Sequence, residues 1–254
     1  MDNRYLIEKD GKLKYIFIAG ILILYIILFE FILPVNKILP KPSLLYETFF
    51  SLQVHYNLII NALYSVSGIY IPMLAAYLCL YLFAGWIIRI LRSPGIFAAF
   101  LKIIKYFPIP GFVVIYAYWF PQSNISELFF TLIISLVYLF GRLKKETPRT
   151  RQEYIDPFIS VGADHTFINK NIIWKSSQPA VFGSLRRLNF YLWSVMLFFE
   201  YVKGAMGIGN IYRLALSYQD LSALIAVSII ICLIIFVADQ IIKLLNIKLI
   251  EWES

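Results

Sequence analysis

Charged residues, histidines and cysteines are scarce in this sequence. Charged side chains make up 15% of the 254 residues, against roughly 25% in an average soluble domain. Hydrophobic residues make up 60%, and the mean hydropathy is +0.74. This composition excludes an ordinary soluble domain. It predicts an all-α integral membrane protein, because a helix satisfies its own backbone hydrogen bonds in lipid.

The few cysteines and histidines exclude a disulfide framework and a metal cluster. Cys79 and Cys232 both lie inside apolar runs, which favours two buried small side chains over a disulfide or a metal pair. His55 and His165 are isolated in the sequence. We therefore expect neither a metal nor another cofactor bound by this chain itself.

The sequence also lacks the motifs that would indicate catalysis or nucleic-acid binding. It contains no H-E-x-x-H pattern, no paired aspartates or Ser/His pair within the apolar segments, and no G-x-x-x-x-G-K-[ST] phosphate-binding loop. The net charge is +8, but no basic run alternates with exposed aromatic residues as a nucleic-acid surface requires. We therefore expect neither an enzyme nor a nucleic-acid-binding protein.

Six apolar segments are candidates for membrane-spanning helices, for which about 20 residues are needed. They are Tyr15–Leu33, Leu58–Ile88, Ile96–Phe120, Ile125–Leu143, Leu188–Val202 and Leu221–Leu245. The first has no cleavage signal after it, so we expect a retained helix rather than a signal peptide. The fifth is the shortest, and we expect it to begin near Phe182, with Arg186 and Arg187 reaching the lipid surface.

Prolines fall within the second and third of these segments. Pro72 lies in the second, and Pro108 and Pro110 lie in the third. A proline within a membrane helix is tolerated where a neighbouring helix or water satisfies the freed carbonyl. Both helices are therefore expected to face the protein interior.

The positions of Lys and Arg predict the orientation of the chain. If both termini are cytoplasmic, the cytoplasmic segments hold 19 of the 23 Lys and Arg residues, and the outer loops hold the other four. Cytoplasmic loops of membrane proteins carry an excess of these residues. The asymmetry places the longest polar stretch, Tyr154–Arg187, in the cytoplasm. This stretch belongs to a loop, residues 144–187, that we call the insert.

The insert begins its polar stretch with the pattern of a short helix and a turn. Asp156 followed by Pro157 is a helix start, because Asp can cap free N–H groups and Pro suits the first helical turn. Gly162 follows and can take the left-handed conformation that ends a helix. The pattern therefore predicts a short helix followed by a sharp turn.

A second short helix is predicted after this turn. Asp164 provides another N-terminal cap, for the stretch HTFINKNIIW, whereas Pro179 and Gly183 are expected to break the chain before the fifth span. The exposed side of this helix is expected to carry Phe167 and Ile168. A small apolar face among polar neighbours favours docking to a partner, and an inert cytoplasmic loop remains the alternative.

The insert resembles the cytoplasmic "EAA" loop of binding-protein-dependent ABC importer permeases. The pattern of that loop is E-A-A, three residues, G, nine residues, then I-x-L-P, and in one branch a further proline. The matching residues are Gly162, Ala163, Ile172 and Pro179. The departures are Asp156, Pro157 and Phe158 at the E-A-A positions, Asp164 at a usual serine, and Trp174 and Lys175 at the Leu-Pro positions. Asp and Ser both cap helices, so Asp164 preserves the local physics.

Two further stretches resemble the nitrate, sulfonate and taurine branch of that family. KYFPIPGFVVIYAYWF is similar to the R-P-I-P-P…W-F-G third helix of the branch, through Phe107, Pro108, Ile109, Pro110 and Trp119. EYVKGAMGIGNI is similar to its A-E-x-x-x-x-x-x-G-L-G-x-x-I pattern, through Glu200, Gly207, Gly209 and Ile211. The matches are collinear and fall within residues 58–245, so the resemblance covers most of the chain.

The resemblance implies a fold and a mechanism. It implies six transmembrane helices in the type I ABC importer permease (MetI-like) fold, as a single domain over residues 1–254, with a coupling helix in the insert. Two permeases, as a homodimer or a heterodimer, would form the solute pathway in a bacterial inner membrane. Two ATPase subunits would bind ATP and Mg²⁺ and dock on the coupling helices. A separate extracytoplasmic protein would deliver the solute, which in this branch is nitrate, a sulfonate, taurine, or a vitamin or pyrimidine precursor.

The resemblance and the local pattern together indicate two sets of candidate residues. The candidates for ATPase coupling are Asp156, Gly162, Ala163, Asp164, Phe167, Ile168 and Ile172. The candidates for the pathway or its gate are Pro108, Pro110, Tyr116, Trp119, Glu200, Gly207 and Gly209. The aromatic residues of the second set suit flat or amphipathic solutes, but Tyr and Trp also populate membrane interfaces in any protein, and both interpretations stay open.

Acidic residues within apolar segments are costly and usually functional. Glu200 either lines the outer vestibule or stabilises the turn that contains Gly207 and Gly209, and we favour stabilisation. Asp239 is expected to pair with a base on the cytoplasmic side, and Glu30 lies close enough to the outer surface to need no special role.

Two other functional classes remain as alternatives. A stand-alone secondary transporter favours broken helices near the middle of the membrane and inverted repeats. Pro72 and Pro108 hint at broken helices, but no repeat is apparent. A membrane-embedded enzyme is less favoured, because it needs a polar catalytic cluster within the spans.

Overall fold

The computed structural model describes residues 17, 19–21, 23–33, 39–92, 103, 106, 108–120 and 125–249. Every regular element among these residues is helical. The prediction of an all-α chain is therefore confirmed for the described part. Residues 15, 16, 18 and 22 of the first predicted span lie outside it, as does the stretch 96–107 except residues 103 and 106. The matched Phe107 is therefore not described.

Ten α-helices are described, and we number them in chain order. The first five are α1 Pro42–Tyr56, α2 Leu58–Arg92, α3 Ile109–Trp119, α4 Ile125–Glu146 and α5 Asp156–Ser160. The second five are α6 His165–Ile168, α7 Trp174–Gly183, α8 Leu185–Lys203, α9 Ile208–Ser217 and α10 Leu221–Leu249. Shorter turns are π-helical at Ile27–Ile32 and Asn169–Ile173, and 3-10 at Thr147–Arg149 and Gln152–Tyr154.

Three described stretches are long and apolar enough to cross a membrane. They are Leu58–Arg92, Ile125–Arg149 and Leu221–Lys248, with hydropathies of 2.0, 1.6 and 3.1. They coincide with the second, fourth and sixth predicted spans. The fifth predicted span corresponds to α8, and the described helix of the third, α3, has 11 residues. The chain thus has the helices of a membrane protein, in agreement with its composition.

The prolines occupy different helical positions from those expected. Pro72 lies inside α2, as predicted. Pro108 instead precedes the first residue of α3, and Pro110 is the second residue of that helix. At both positions the N–H of any residue would have no hydrogen-bond partner within the helix. The missing N–H of proline therefore breaks no helical hydrogen bond. The pair thus marks the start of α3.

Pro179 is also placed differently from the prediction. It lies inside α7 rather than at a break. The carbonyl four residues earlier belongs to Lys175, which is exposed, so water can replace the lost hydrogen bond. Gly183 ends α7, but Ser184 keeps helical backbone angles and α8 begins at the next residue. The fifth span is therefore preceded by helix rather than by an irregular loop.

The chain divides into two compact units. The smaller comprises Met1–Leu58 and Leu214–Ile229, and the larger comprises Ile59–Arg213 and Ile230–Ser254.

In the smaller unit, Asp220 connects α1 with the start of α10. The Tyr56 hydroxyl donates to one carboxylate oxygen of Asp220 at 3.1 Å, and the Ala223 N–H donates to the other at 2.9 Å. Asp220 therefore caps α10 and fixes the end of α1. Burial, and secondarily the hydrogen bond to this carboxylate, raises the pKa of Tyr56 to about 12.

The larger unit has an aromatic core built by α3, α4 and α8. The rings of Phe130 and Phe199 stack with centroids 4.7 Å apart, and the Tyr116 ring lies 5.1 Å and 6.2 Å from them. All three side chains are buried. Tyr116, a pathway candidate, is thus part of the packing that holds α3 against α8.

A polar network connects α2, α8 and α10 within the larger unit. The Tyr70 hydroxyl donates to the Asn189 side-chain oxygen at 2.9 Å and accepts from the Trp193 indole nitrogen at 3.0 Å. The Asn189 nitrogen donates to the carbonyl of Ile235 at 3.4 Å. Because unpaired polar groups are costly in an apolar interior, this network favours one relative placement of the three helices.

Candidate functional site

The insert contains the helix, turn and helix that its sequence predicts. Helix α5 begins at Asp156 and ends at Ser160, and Gly162 has a positive φ of 79°. The N–H of Ala163 donates to the carbonyl of Phe158 at 2.9 Å, which closes the turn. The left-handed glycine is confirmed. The capping role is not, because Asp156 is the first helical residue and Ile155 occupies the cap position.

Asp164 caps α6, as predicted. Its carboxylate accepts a hydrogen bond from the N–H of Thr166 at 3.0 Å. Hydrogen bonding to Thr166 holds the pKa of this exposed carboxyl below its usual value, because those bonds stabilise the charged form. The carboxylate therefore remains an acceptor over the whole neutral range and keeps the turn before α6 in place.

The stretch of the insert from α5 to α6 presents exposed apolar side chains. Val161 is 87% exposed, Ile159 is 55% exposed, Phe167 is 48% exposed and Phe158 is 42% exposed. The rings of Phe158 and Phe167 lie 6.2 Å apart. We call these four residues the coupling surface. The sequence identified Phe167 but not the other three, of which Phe158 and Ile159 are adjacent in α5 and Val161 follows it.

Ile168 does not belong to this surface. It is 3% exposed, whereas Phe167 faces outward. Neighbouring residues of a helix point about 100° apart, so Phe167 can face outward while Ile168 beside it is buried. The prediction that Phe167 and Ile168 share the exposed side was therefore wrong for Ile168. Of the remaining candidates, Ala163 and Ile172 are half-buried.

Asn169 attaches the insert to the end of α2. Its side-chain nitrogen donates to the carbonyl of Gly85 at 3.4 Å, and its oxygen accepts from Arg92 at 3.5 Å. A Cβ at position 85 would lie 3.3 Å from the carbonyl oxygen of Thr166, so the absence of a side chain allows this close approach. The only sequence signal for the contact between the insert and α2 was the glycine at position 85 within an apolar helix.

Aromatic side chains form a second attachment of the insert to α2. Trp174 is 3% exposed and lies against Tyr77 and Tyr81, with ring centroids 6.5 Å and 6.3 Å away. Phe182 contacts Tyr77 with centroids 5.2 Å apart, and Gln178 donates to the Tyr77 hydroxyl at 3.2 Å. Trp174, which departs from the family pattern, therefore has a packing role. A buried contact thus attaches the insert to α2.

Glu200 lies at the centre of a buried polar cluster in the larger unit. The Ser65 hydroxyl donates to one of its carboxylate oxygens at 2.6 Å, and the Gly209 N–H donates to the other at 2.8 Å. The N–H of Ile208 in turn donates to the Ser65 hydroxyl at 2.8 Å. The carboxylate is fully buried. It occupies the N-terminal end of α9, where free N–H groups favour an anion.

The two glycines near Glu200 are required by the geometry. Gly207 has a φ of +102°, its N–H donates to the Asn61 side chain at 2.8 Å, and a Cβ there would collide with the Glu200 carboxylate. A Cβ at Gly209 would collide with the carbonyl of Leu197. These contacts are the ones expected if Glu200 stabilises the turn that contains Gly207 and Gly209. Asn61 and Ser65 also belong to this polar cluster, and the sequence did not reveal them.

Lys203 and Glu127 form an ion pair beside Glu200. Their closest atoms are 3.3 Å apart, and their side chains are 2% and 1% exposed. The Lys203 ammonium also donates to the Ser126 hydroxyl at 3.3 Å and lies 5.8 Å from the Phe199 ring centroid. Glu127 is in the first turn of α4 and Lys203 is in the last turn of α8, so each charge complements its helix dipole. Glu127 was missed, although an acid in an apolar segment was a usable signal.

Asp239 pairs with a basic residue, as the sequence predicts. Arg186 makes two hydrogen bonds to its carboxylate, of 2.7 Å and 2.6 Å. The Arg186 guanidinium is held by this carboxylate, and its side chain is 42% exposed, so its position at the lipid surface stays a prediction. A planar guanidinium with two parallel bonds fixes orientation as well as distance. The pair therefore aligns α8 with α10.

The other pathway candidates do not join the Glu200 cluster through any described contact. Pro108 and Pro110 are exposed, and Trp119 is 64% exposed. Exposure of an apolar side chain suits both a pathway and a lipid interface, so neither interpretation is favoured over the other.

No protein-family model matches the chain, and a comparison with curated proteins finds no relative. Within the described ranges, no group of three or more His, Cys, Asp and Glu side chains is arranged to hold a metal ion.

Proposed function

We propose that this chain is the transmembrane subunit of an ATP-driven importer of the binding-protein-dependent type. In this proposal the chain has six spans in the type I importer permease fold, lies in a bacterial inner membrane with both termini in the cytoplasm, and pairs with a second permease. A separate ATPase docks on the insert, and an extracytoplasmic protein delivers the solute. The resemblance of three collinear motifs to the nitrate, sulfonate and taurine branch supports this assignment.

The coupling surface is the observation that carries the proposal. Val161 is exposed in the turn after α5, and Phe167 is exposed on α6, where Gly162 and Asp164 hold the backbone between them. A loop that had no partner would have little reason to expose large apolar side chains on an ordered scaffold. The buried attachment of Trp174 and Asn169 to α2 supplies a mechanical connection from the insert to a membrane-spanning helix.

Co-purification tests the proposal directly. The tagged chain is extracted from its native membranes in mild detergent, and bound proteins are identified by mass spectrometry. We expect an ATPase subunit with the wild type and about tenfold less with Phe167→Asp or Val161→Asp, because an apolar anchor at an interface centre dominates affinity. Tyr218→Asp, at a residue that is 72% exposed outside the insert, is the matched control and should retain the ATPase.

Absence of any ATPase from the wild-type sample, even after crosslinking, would overturn the proposal. Equal recovery with wild type and with both coupling-surface variants would show that the ATPase docks elsewhere. The solute is then sought among nitrate, sulfonates, taurine, and vitamin or pyrimidine precursors by uptake assays with the purified complex.

A stand-alone secondary transporter is the second candidate function. The observation in its favour is the buried charged group of Glu200, Glu127 and Lys203, because ionisable residues inside membrane proteins often mark ion or proton pathways. Transport by the purified single polypeptide in vesicles, driven by an ion gradient and unaffected by ATP, would support this candidate against the ATP-driven one.

A further inference from the structure

An open groove lies beside the coupling surface. Its volume is about 380 Å³, and it is bounded on one side by the 3-10 turn and the start of α5 and on the other by the π-helical turn and the start of α7. Its apolar walls are Tyr154, Pro157, Phe158 and Ile172. Tyr154 is 55% exposed, so an aromatic face is available at its edge. We call this groove the socket.

The polar residues of the socket offer hydrogen-bond acceptors. They are Glu153, Asn171 and Ser176. The side-chain nitrogen of Asn171 donates to the carbonyl of Phe167 at 3.1 Å, which leaves its amide oxygen as the atom that can accept. A carboxylate, an amide oxygen and a hydroxyl together suit a ligand that carries several N–H donors.

Glu153 is the acidic residue that lines the socket, and it lies in a basic region. The insert holds eight Lys and Arg residues against four Asp and Glu residues. Among the described residues, Glu146 is engaged by Arg142 and Arg149, whereas Glu153 and the exposed Asp156, three residues further on, form no ion pair. A positive partner group is therefore attracted towards Glu153 and Asp156 and repelled by the basic residues elsewhere in the insert, which favours one register of docking.

We propose that the socket receives an arginine side chain of the docked ATPase, and this inference rests on the function proposed above. Arginine fits better than lysine for two reasons. Its five donors lie in one plane and match a carboxylate together with neighbouring acceptors. Its guanidinium also stacks on aromatic faces, which Tyr154 and Phe158 provide. Its aliphatic stem packs against Pro157 and Ile172.

The socket and the coupling surface would be covered by the same partner. Phe158 belongs to both, since it forms a wall of the socket and its ring lies 6.2 Å from that of Phe167. A partner that covers the apolar side chains would also exclude water from the socket. Exclusion of water strengthens the attraction between a guanidinium and Glu153.

Charge changes at Glu153 test the inference in the intact complex. In the co-purification assay, we expect Glu153→Gln to lower ATPase recovery about two- to fivefold, as for a partly exposed ion pair. Glu153→Lys should lower it at least about tenfold, because like charges then meet. Glu47→Lys changes the net charge equally at an exposed residue of α1 and should leave recovery unchanged. Raising the ionic strength should shrink the difference between wild type and Glu153→Gln.

Photo-crosslinking identifies the occupant. Ser176→Cys labelled with a benzophenone maleimide is irradiated in the complex, and the captured ATPase peptide is sequenced. We expect an arginine in this peptide, and replacing that arginine with alanine should abolish the effect of Glu153→Gln on recovery. A peptide without arginine, or additive effects of the two changes, would overturn the inference.

The outcomes separate this inference from the proposed function. If wild type and Glu153→Lys recover equal amounts of the ATPase while Phe167→Asp loses it, the arginine inference is overturned and the proposed function is kept. Failure to recover an ATPase with the wild type would overturn both. The Glu153 side chain is exposed, so we expect Glu153→Lys to unfold at the wild-type temperature. That result would exclude misfolding as the cause of any loss of ATPase recovery.

Discussion

Helix α8 carries an ion pair at each end, in two different surroundings. Near its C-terminus, Lys203 and Glu127 are 2% and 1% exposed and their closest atoms are 3.3 Å apart. Near its N-terminus, Arg186 and Asp239 are 42% and 11% exposed and their closest atoms are 2.6 Å apart. The distance between the charged atoms is thus shorter in the more exposed pair and longer in the buried pair.

The comparison shows that distance alone does not decide what an ion pair contributes. A buried charge that loses its partner has no water to replace it, so breaking a buried pair is strongly destabilising even though the intact pair contributes little net stability. An exposed charge that loses its partner is resolvated. The buried pair near Glu200 therefore restricts substitution at both its positions, whereas the exposed pair mainly sets the angle between α8 and α10.

The largest effect is expected from removing one charge of the buried pair. Lys203→Met should lower the free energy of unfolding by about 3–5 kcal/mol, because it leaves the Glu127 carboxylate buried without its cation. Thermal or chemical unfolding in detergent measures the change. Lys203→Met combined with Glu127→Leu should regain most of the loss, since neither member of the pair is then left buried without its partner. A double variant as unstable as the single one would contradict the explanation.

A smaller effect is expected from filling the space beside Glu200. Gly207→Ala should cost about 2–3 kcal/mol, because the new Cβ meets the buried carboxylate and the backbone has a φ of +102°. Gly141→Ala is the matched control, since nothing lies within 4 Å of its added Cβ and alanine favours a helix interior. Equal unfolding temperatures of Gly207→Ala and wild type would show that the turn is not held by Glu200.

The smallest effect is expected at the exposed pair. Arg186→Gln should lower the unfolding temperature less than either change above, because the Asp239 side chain is 11% exposed whereas that of Glu127 is 1% exposed, so more water reaches the carboxylate that is left. The difference from wild type should decrease as salt is added, since exposed charges are screened. A loss as large as that of Lys203→Met, or one independent of salt, would remove the distinction between the two ends of α8.

The sequence was sufficient for the turn at Gly162 and the cap at Asp164, and for three of the six predicted spans, which are long and apolar enough to cross a membrane. Gly162, Asp164 and Pro157 act on their own backbone or on that of the next few residues, so their effects can be predicted from residue type and order. The spans are visible because lipid requires long apolar helices. The sequence did not predict which side of a short helix is buried, and the exposed position expected for Ile168 was wrong. Contacts with neighbouring elements decide which side of such a helix is covered.

What the sequence by itself determined is the class of structure: helices throughout the described residues, several of them long and apolar, and an insert that contains a left-handed turn and a helix capped by Asp164. These features follow from composition and from interactions between near neighbours in the chain. Only the tertiary structure decided that Glu200 meets Ser65, that Lys203 meets Glu127 and that Asn169 meets Gly85. These partners are many residues apart, and no local rule connects them, because their proximity depends on how whole helices pack.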